Sequence, residues 1–201
     1  NKRINQIKLI PNIVERNKNQ FSLTQNIFNI AFLGRLVNQK NPFALLELLI
    51  KLKSMKHDIK AHIIGDGYLL KSLKNYAKKN KIENICKFYG MQNNPKEILS
   101  KCQVLVSTSH KEGMSNAILE SMSLGIPVIS SNVGAAEYLL GGFKYNFTFE
   151  SGDIDELTKK LIKLKESSQL QLEYSSFLYN KSIRNHDSKK ISNLYKKLYF
   201  D

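Results

Sequence analysis

Short apolar, β-rich runs alternate with longer helical runs along most of this chain, and that alternation is its strongest constraint on fold. NIAFLG (29–34), AHIIG (61–65), NICKFYG (84–90), VLVST (104–108) and PVISS (127–131) read as strands. KYNFTF (144–149) reads as a last strand, at an edge. Between them, PFALLELLIKLKSMK (42–56), YLLKSLKNYAKKN (68–80), PKEILSKC (95–102), NAILESMSLG (116–125) and AAEYLL (135–140) carry helical spacing or helix boundary signals. Pro42 suits a first helical turn, Asn94 is the expected cap of the helix opened by Pro95, and Gly125 the expected stop of another. Strands that are apolar throughout must be covered on both faces, and helical connections between them make them parallel. The expected fold is therefore α/β, a doubly wound, Rossmann-like parallel sheet flanked by helices.

The tail is helical by the same reasoning. IDELTKKLIKLKE (154–166) follows the cap candidate Asp153, a second helix covers LQLEYSSFLYNK (170–181), and SKKISNLYKKLYF (188–200) follows Asp187. The head, INQIKLIPNIV (4–14), is strand-like and broken at Pro11. The 201 residues suffice for one domain with a buried core. In open sheets of this kind ligands sit beyond the carboxyl ends of the strands, which here means the loops starting near Gly34, Gly65, Gly90, Ser107 and Ser131.

Composition narrows the function. No apolar run approaches the roughly 20 residues that cross a bilayer. The first residues lack the apolar core of a signal peptide, and the start at Asn1 reads as a fragment or a processed chain. Cys86 and Cys102 are too few for a disulfide framework, lack metal-ligand spacing, and are expected as reduced thiols. The formal charge of +14 comes largely from lysines distributed along helices, so it reads first as solvated faces and second as attraction to phosphates or an anionic membrane. No nucleic-acid-binding signature is present, and no nucleic-acid partner is expected. No metal site is expected, because no Cys, His or Asp cluster has ligand spacing.

The chemistry concentrates in EGMSNAILE (112–120). Glu112 falls in the loop after VLVST, Ser115 or Asn116 opens the next helix, and Glu120 lies about one turn inside it. A helix start presents free N–H groups and a positive dipole end, which suits a phosphate. Gly113 lets backbone approach a ligand closely. A carboxylate can accept hydrogen bonds from two vicinal hydroxyls, as on a ribose or a hexose. The two glutamates by themselves fit a solvated loop residue and an exposed helix residue better; their surroundings decide otherwise.

The run SHKEGMSNAILESMSLGIPVISSNVGAAEYL (109–139) resembles the signature segment of glycosyltransferase family 4, the group 1 glycosyltransferases of the GT-B fold. The E-x7-E pair of glutamates, the small-residue turn after the first, the GIPVI strand entry and the later G-x-x-E fall in the family's order. FLGRLVNQKNP (32–42) is similar to the family's strand-exit loop, in which Arg35 and Lys40 would grip the donor diphosphate and Gly34 would permit a tight turn toward it. HIIGDGYLLKSL (62–73) resembles the loop beside the nucleotide, with Gly65 and Gly67 as turn and packing residues near the base and Asp66 as a turn former. FYGMQNN (88–94) resembles the segment that reads the nucleobase edge, which makes Met91 and Gln92 candidates. Ile10–Pro11–Asn12 resembles the motif at the start of the family's second domain. Ala135 departs from the pattern, standing where the family often has glycine. His110 is the histidine nearest the site and reads as a loop residue.

The resemblance implies the C-terminal, donor-binding half of a GT-B enzyme. It implies transfer of a hexose-type sugar from a nucleoside diphosphate donor, UDP favoured, with retention and without a metal or other cofactor. Arg35 and Lys40 would offset the leaving diphosphate. Glu120 would hold the ribose hydroxyls. Glu112 would orient the hexose, with orientation favoured over nucleophilic attack. Gly113, Met114, Ser115 and Asn116 would add donor contacts. It further implies a glycan or lipid-linked acceptor on an N-terminal domain that these 201 residues have no room for. The expected setting is bacterial surface polysaccharide assembly in the cytoplasm, with peripheral contact at the inner face of the membrane as a secondary expectation. A sugar-nucleotide epimerase of the same fold and a non-catalytic nucleotide-sugar-binding module are the rival readings. The missing G-x-G-x-x-G at the first strand exit disfavours a dehydrogenase.

Overall fold

The computed structural model describes residues 12–15, 17–18, 21–23 and 27–200. Six parallel strands form one sheet: β1 Phe28–Leu33, β2 Ile59–Ile64, β3 Cys86–Gly90, β4 Val104–Ser107, β5 Val128–Ser131 and β6 Thr148–Phe149. Their spatial order is β3-β2-β1-β4-β5-β6. The chain steps outward from β1 through β2 to β3, then returns to lay β4 on the other side of β1. The crevice between the carboxyl ends of β1 and β4 is thus the topological switch point, where such sheets bind ligands.

The helices are α1 Pro42–Ser54, α2 Leu70–Lys79, α3 Lys96–Leu99, α4 Asn116–Ser123, α5 Ala136–Leu140, α6 Ile154–Lys165, α7 Ser168–His186 and α8 Ser188–Phe200. α1 begins at Pro42, whose fixed φ suits a first turn, and buries Leu45, Leu46, Leu48, Leu49 and Leu52 in the core. α4 ends in a Schellman motif. The N–H of Gly125, at φ 75°, donates to the carbonyl of Met122 (3.0 Å), and that of Ile126 to Ser121 (2.9 Å). Asp153 caps α6 by accepting from the Glu156 N–H (2.8 Å), and Ser167 caps α7 through Leu170 (3.2 Å). On α7, the buried Tyr174 donates its hydroxyl to the Val128 carbonyl of β5 (2.9 Å). This bond ties the helical tail to the sheet.

The layered α/β expectation is met, with local differences. The last strand is only two residues, not six, because the Asn146 carboxamide accepts from the N–H and hydroxyl of Thr148 (both 2.8 Å) and turns the chain just before it. β6 is an edge strand, as expected. Asn94 does not cap α3; its amide donates to the Glu97 carboxylate (3.1 Å). α7 runs 19 residues, past both ends expected for it. Of the head, residues 4–11 lie outside the described residues, and Val14 forms an isolated bridge with Asp187. Cys86 and Cys102 are free, and burial pushes both thiols up to about 12. No helix among the described residues is long and apolar enough to cross a membrane.

Candidate functional site

A cleft of about 370 Å³ opens at the switch point. The loop after β1 forms one wall. Gly34 leaves the strand, Arg35 is exposed, and a 3-10 turn at Asn38–Lys40 leads into α1 through Asn41, which is left-handed at φ 45°. The loop after β4 forms the other wall. The two loops are fastened together. The His110 N–H donates to the Gln39 carbonyl (2.8 Å), the Gln39 amide to the Lys111 carbonyl (2.9 Å), and the Thr108 hydroxyl reaches the carbonyls of Lys40 and Asn41 (3.1 and 2.8 Å).

Across this junction Lys40 Nζ forms an ion pair with Glu112 Oε1, and the Ser109 hydroxyl donates to the same oxygen (3.0 Å). The pair is largely shielded, with side-chain exposures of 18% and 12%. Glu112 Oε2 has no partner among the described residues, nor does the Arg35 guanidinium. Behind Glu112, Gly134 sits at φ 57°. A Cβ there would come within 2.3 Å of the carbonyl oxygens of Glu112 and Gly113, so only glycine lets this backbone close up. The Ala135 N–H donates to the Gly113 carbonyl (2.8 Å).

α4 points its N-terminus into the cleft. Ser115 occupies the cap position, is buried, and makes no side-chain capping bond. The N–H groups of Asn116, Ala117 and Ile118 have no protein acceptor among the described residues and face the open end of the helix. Glu120, one turn in, is half-buried, and its carboxylate has no hydrogen-bond partner among the described residues. Burial holds its carboxyl above the usual range, against the opposing pull of the Lys96 ammonium.

Of the residues singled out from sequence, Gly34, Arg35, Lys40, Glu112, Met114, Asn116 and Glu120 line this one cleft. Gly65, Met91, Gly113 and Ser115 do not. Gly65 packs directly on Gly34, where a Cβ would meet the Gly34 carbonyl oxygen at 1.9 Å, and it shapes the floor from behind. Gly67 likewise abuts the Leu36 backbone, and Asp66 accepts from the Gly67 N–H (2.7 Å) as a turn former should. Met91 follows Gly90, which at φ 69° redirects the chain, and is 79% exposed outside the cleft; Gln92 folds back on the Tyr89 carbonyl (2.9 Å). Sequence reasoning missed Leu33, Gln39, Pro95 and Ala117, which also line the cleft. Position after β1 and on the first turn of α4 could have found Gln39 and Ala117; nothing local to Pro95 signals its place. His110 is held by Ser151 (3.1 Å) as a loop residue. Among the described residues no group of three or more His, Cys, Asp or Glu side chains could hold a metal ion.

A doubly wound sheet with two cations, two carboxylates and an open helix start at its switch point defines a Rossmann-like domain equipped for a phosphorylated ligand. The chain belongs to the glycosyl transferases group 1 family, whose model matches residues 13–180. It is 32% identical over 182 residues to an Escherichia coli protein named UDP-Gal:alpha-D-GlcNAc-diphosphoundecaprenol alpha-1,3-galactosyltransferase, covering 89% of this chain and 47% of that one. It is 27% identical over 148 residues to a Campylobacter jejuni protein named N-acetylgalactosamine-N,N'-diacetylbacillosaminyl-diphospho-undecaprenol 4-alpha-N-acetylgalactosaminyltransferase, covering 73% and 40%. Its fold matches S. aureus TarM, crystallised with UDP among its ligands, at a TM-score of 0.87, 20% identity, and coverage of 99% and 40%. It matches Anabaena HepE in complex with UDP at a TM-score of 0.79, 22% identity, and coverage of 86% and 48%. The chain spans less than half the length of each of these proteins.

Proposed function

We propose that this chain binds the donor for a retaining glycosyltransferase, which moves a hexose-type sugar from a UDP-sugar to a glycan or lipid-linked acceptor in bacterial surface polysaccharide synthesis. The observation that carries the reading is the convergence of Arg35, Lys40, Glu112 and Glu120 on one cleft at the start of α4. An ammonium has three donors. Lys40 can keep Glu112 and still give two hydrogen bonds to a diphosphate. Arg35 adds a second cation, and the amides of Asn116, Ala117 and Ile118 add neutral donors aligned with the helix dipole. Together they would stabilise charge developing on the leaving diphosphate without a metal ion or other cofactor.

The two glutamates divide the sugars between them. Glu120 has its acceptors uncommitted and takes the ribose hydroxyls. Glu112 is held through Oε1 by Lys40 and Ser109, which leaves Oε2 to orient a hexose hydroxyl beside the reacting carbon. A carboxylate fixed in this way is better placed to orient than to swing in as a nucleophile. Donor UDP and a lipid-linked acceptor are suggested by the name of the Escherichia coli relative. The net charge of +14 would favour peripheral contact with the anionic inner face of the cytoplasmic membrane.

Calorimetry of the 201-residue chain with UDP, GDP and ADP tests this. Binding of UDP, unchanged by EDTA, is expected, with little sugar transfer by the chain alone. Folded protein that binds none of the three would sink the donor-site reading. Affinity that requires a divalent ion would sink its metal-free form.

A further inference from the structure

We propose that His186, the last residue of α7, is a positioning residue for the donor cleft, acting through Asn12. The inference rests on the donor-site reading above. His186 is fully buried, and its Nδ1 lies 2.9 Å from the Asn12 carbonyl oxygen. A carbonyl only accepts, so Nδ1 carries the proton and Nε2 is the bare nitrogen. Asn12 in turn reaches the start of α4 with three contacts. Its amide Nδ2 donates to Asn116 Oδ1 (3.0 Å) and to the Met114 carbonyl (3.3 Å), and its N–H approaches Met114 Sδ (3.3 Å). Met114 and Asn116 both line the cleft. A short chain of hydrogen bonds therefore connects a core histidine to the residues that frame the helix N-terminus.

Two observations say that this bond is more than packing. First, Nε2 of His186 is buried with no hydrogen-bond partner among the described residues. That orphan acceptor carries a desolvation cost that a leucine in the same space would avoid. Keeping it makes sense if the Nδ1 bond to Asn12 returns something an apolar residue cannot. Second, Asn12 is itself exposed. A solvated asparagine is free to exchange its amide bonds for water, and its grip on Met114 and Asn116 holds only while its backbone stays in place. The part-buried bond from His186 supplies that anchor, and the Val14 N–H to His186 carbonyl bond (3.0 Å) reinforces it two residues on. The C-terminal end of α7 thereby sets where the first turn of α4 stands, although no part of α7 lines the cleft.

The test uses the 201-residue chain and the variants His186→Leu, His186→Asn and Asn12→Ala. His186→Asn keeps an N–H donor near the position of Nδ1; His186→Leu removes it. UDP affinity by calorimetry should fall about fivefold in His186→Leu and in Asn12→Ala, and return to within about twofold of the parent in His186→Asn. The double variant His186→Leu with Asn12→Ala should bind no more weakly than the weaker single variant, because both changes break one path. Hydrogen exchange without nucleotide is the second readout. Exchange across 112–120 should accelerate in His186→Leu while the β1 and β4 amides stay protected. A folded His186→Leu chain with parental UDP affinity and parental exchange at 112–120 overturns the proposal, as does a His186→Asn chain as weak as His186→Leu. If the parent binds no nucleotide, the donor reading fails alone and the exchange result still decides the coupling. If His186→Leu does not fold, His186→Phe, which also lacks the N–H donor but keeps a ring in that space, decides it by the same two measurements.

Discussion

The loop after β4 and the first turns of α4 each present a glutamate to the same cleft, in opposite electrostatic settings. Glu112 in the loop has an ammonium and a hydroxyl on one oxygen and is held by neighbouring backbone. Glu120 on the helix is half-buried with no hydrogen-bond partner among the described residues, and burial raises its carboxyl above the usual range. One carboxylate is held by the protein through one oxygen; the other is left for something else to satisfy. A fold under selection for stability alone would not leave Glu120 so placed, whereas a ligand that donates two hydroxyl hydrogen bonds would complete it. Regular structure positions the unsatisfied group, and loop contacts immobilise the other.

The largest test of this contrast acts from behind Glu112. Gly134→Ala must push backbone off backbone at a positive φ, so it should cost about 3 kcal/mol of stability, read by denaturant unfolding. It should also displace Glu112 while leaving Glu120 in place. Next comes Lys40→Ala, which removes the cation proposed to meet the diphosphate and strands Glu112. UDP affinity should drop about 30-fold, or about 2 kcal/mol, by calorimetry. Glu120→Gln should weaken UDP about tenfold and abolish discrimination between UDP and 2'-deoxy-UDP.

The two glutamates should also differ in the sign of their effect on the free protein. A raised folded-state value means that ionising Glu120 costs stability, a cost absent at low pH and incurred as pH rises through the ordinary 4.5 to that value. Glu120→Gln should therefore raise the neutral-pH melting temperature even as it weakens binding, while Glu112→Gln should lower it by leaving Lys40 unpaired. Because the proton competes with the ribose for Glu120, UDP affinity should also decline as pH falls toward the raised value, beginning above the ordinary 4.5. That slope should shrink in Glu120→Gln, leaving the part that comes from the terminal phosphate of UDP, which itself titrates at about 6. At the small end, Asp153→Ala removes the α6 cap and should cost about 1 kcal/mol with no change in UDP affinity. A change in affinity there would mean that α6, and not only the end of α7, is coupled to the cleft.

Much of this was legible in the sequence because it depends on period and punctuation. Continuous apolar runs at 104–106 and 126–129 fit buried parallel strands, and Pro42, Gly125 and Asp153 marked helix ends through backbone geometry that each residue type carries with it. Where the sequence misled, a side chain had two local options. Asn94 chose the Glu97 carboxylate over the backbone, and Asn146 cut the last strand short. Met91 was a candidate for the nucleobase edge by resemblance; it stands 79% exposed outside the cleft, and order along a loop does not fix which way it turns after Gly90.

The sequence by itself determined the layer architecture and the strand ends where a ligand would sit, which follow from periodicity and from helical connections between apolar strands. It also carried the resemblance that implied donor roles for Arg35, Lys40, Glu112 and Glu120. Only the tertiary structure decided that Lys40 pairs with Glu112 rather than standing free, that Glu120 is left unsatisfied, that Pro95 lines the cleft, and that His186 reaches the site through Asn12. Each of those depends on residues distant in the chain, and burial and hydrogen-bond pairing at such distances are set by how the layers pack, not by any local pattern.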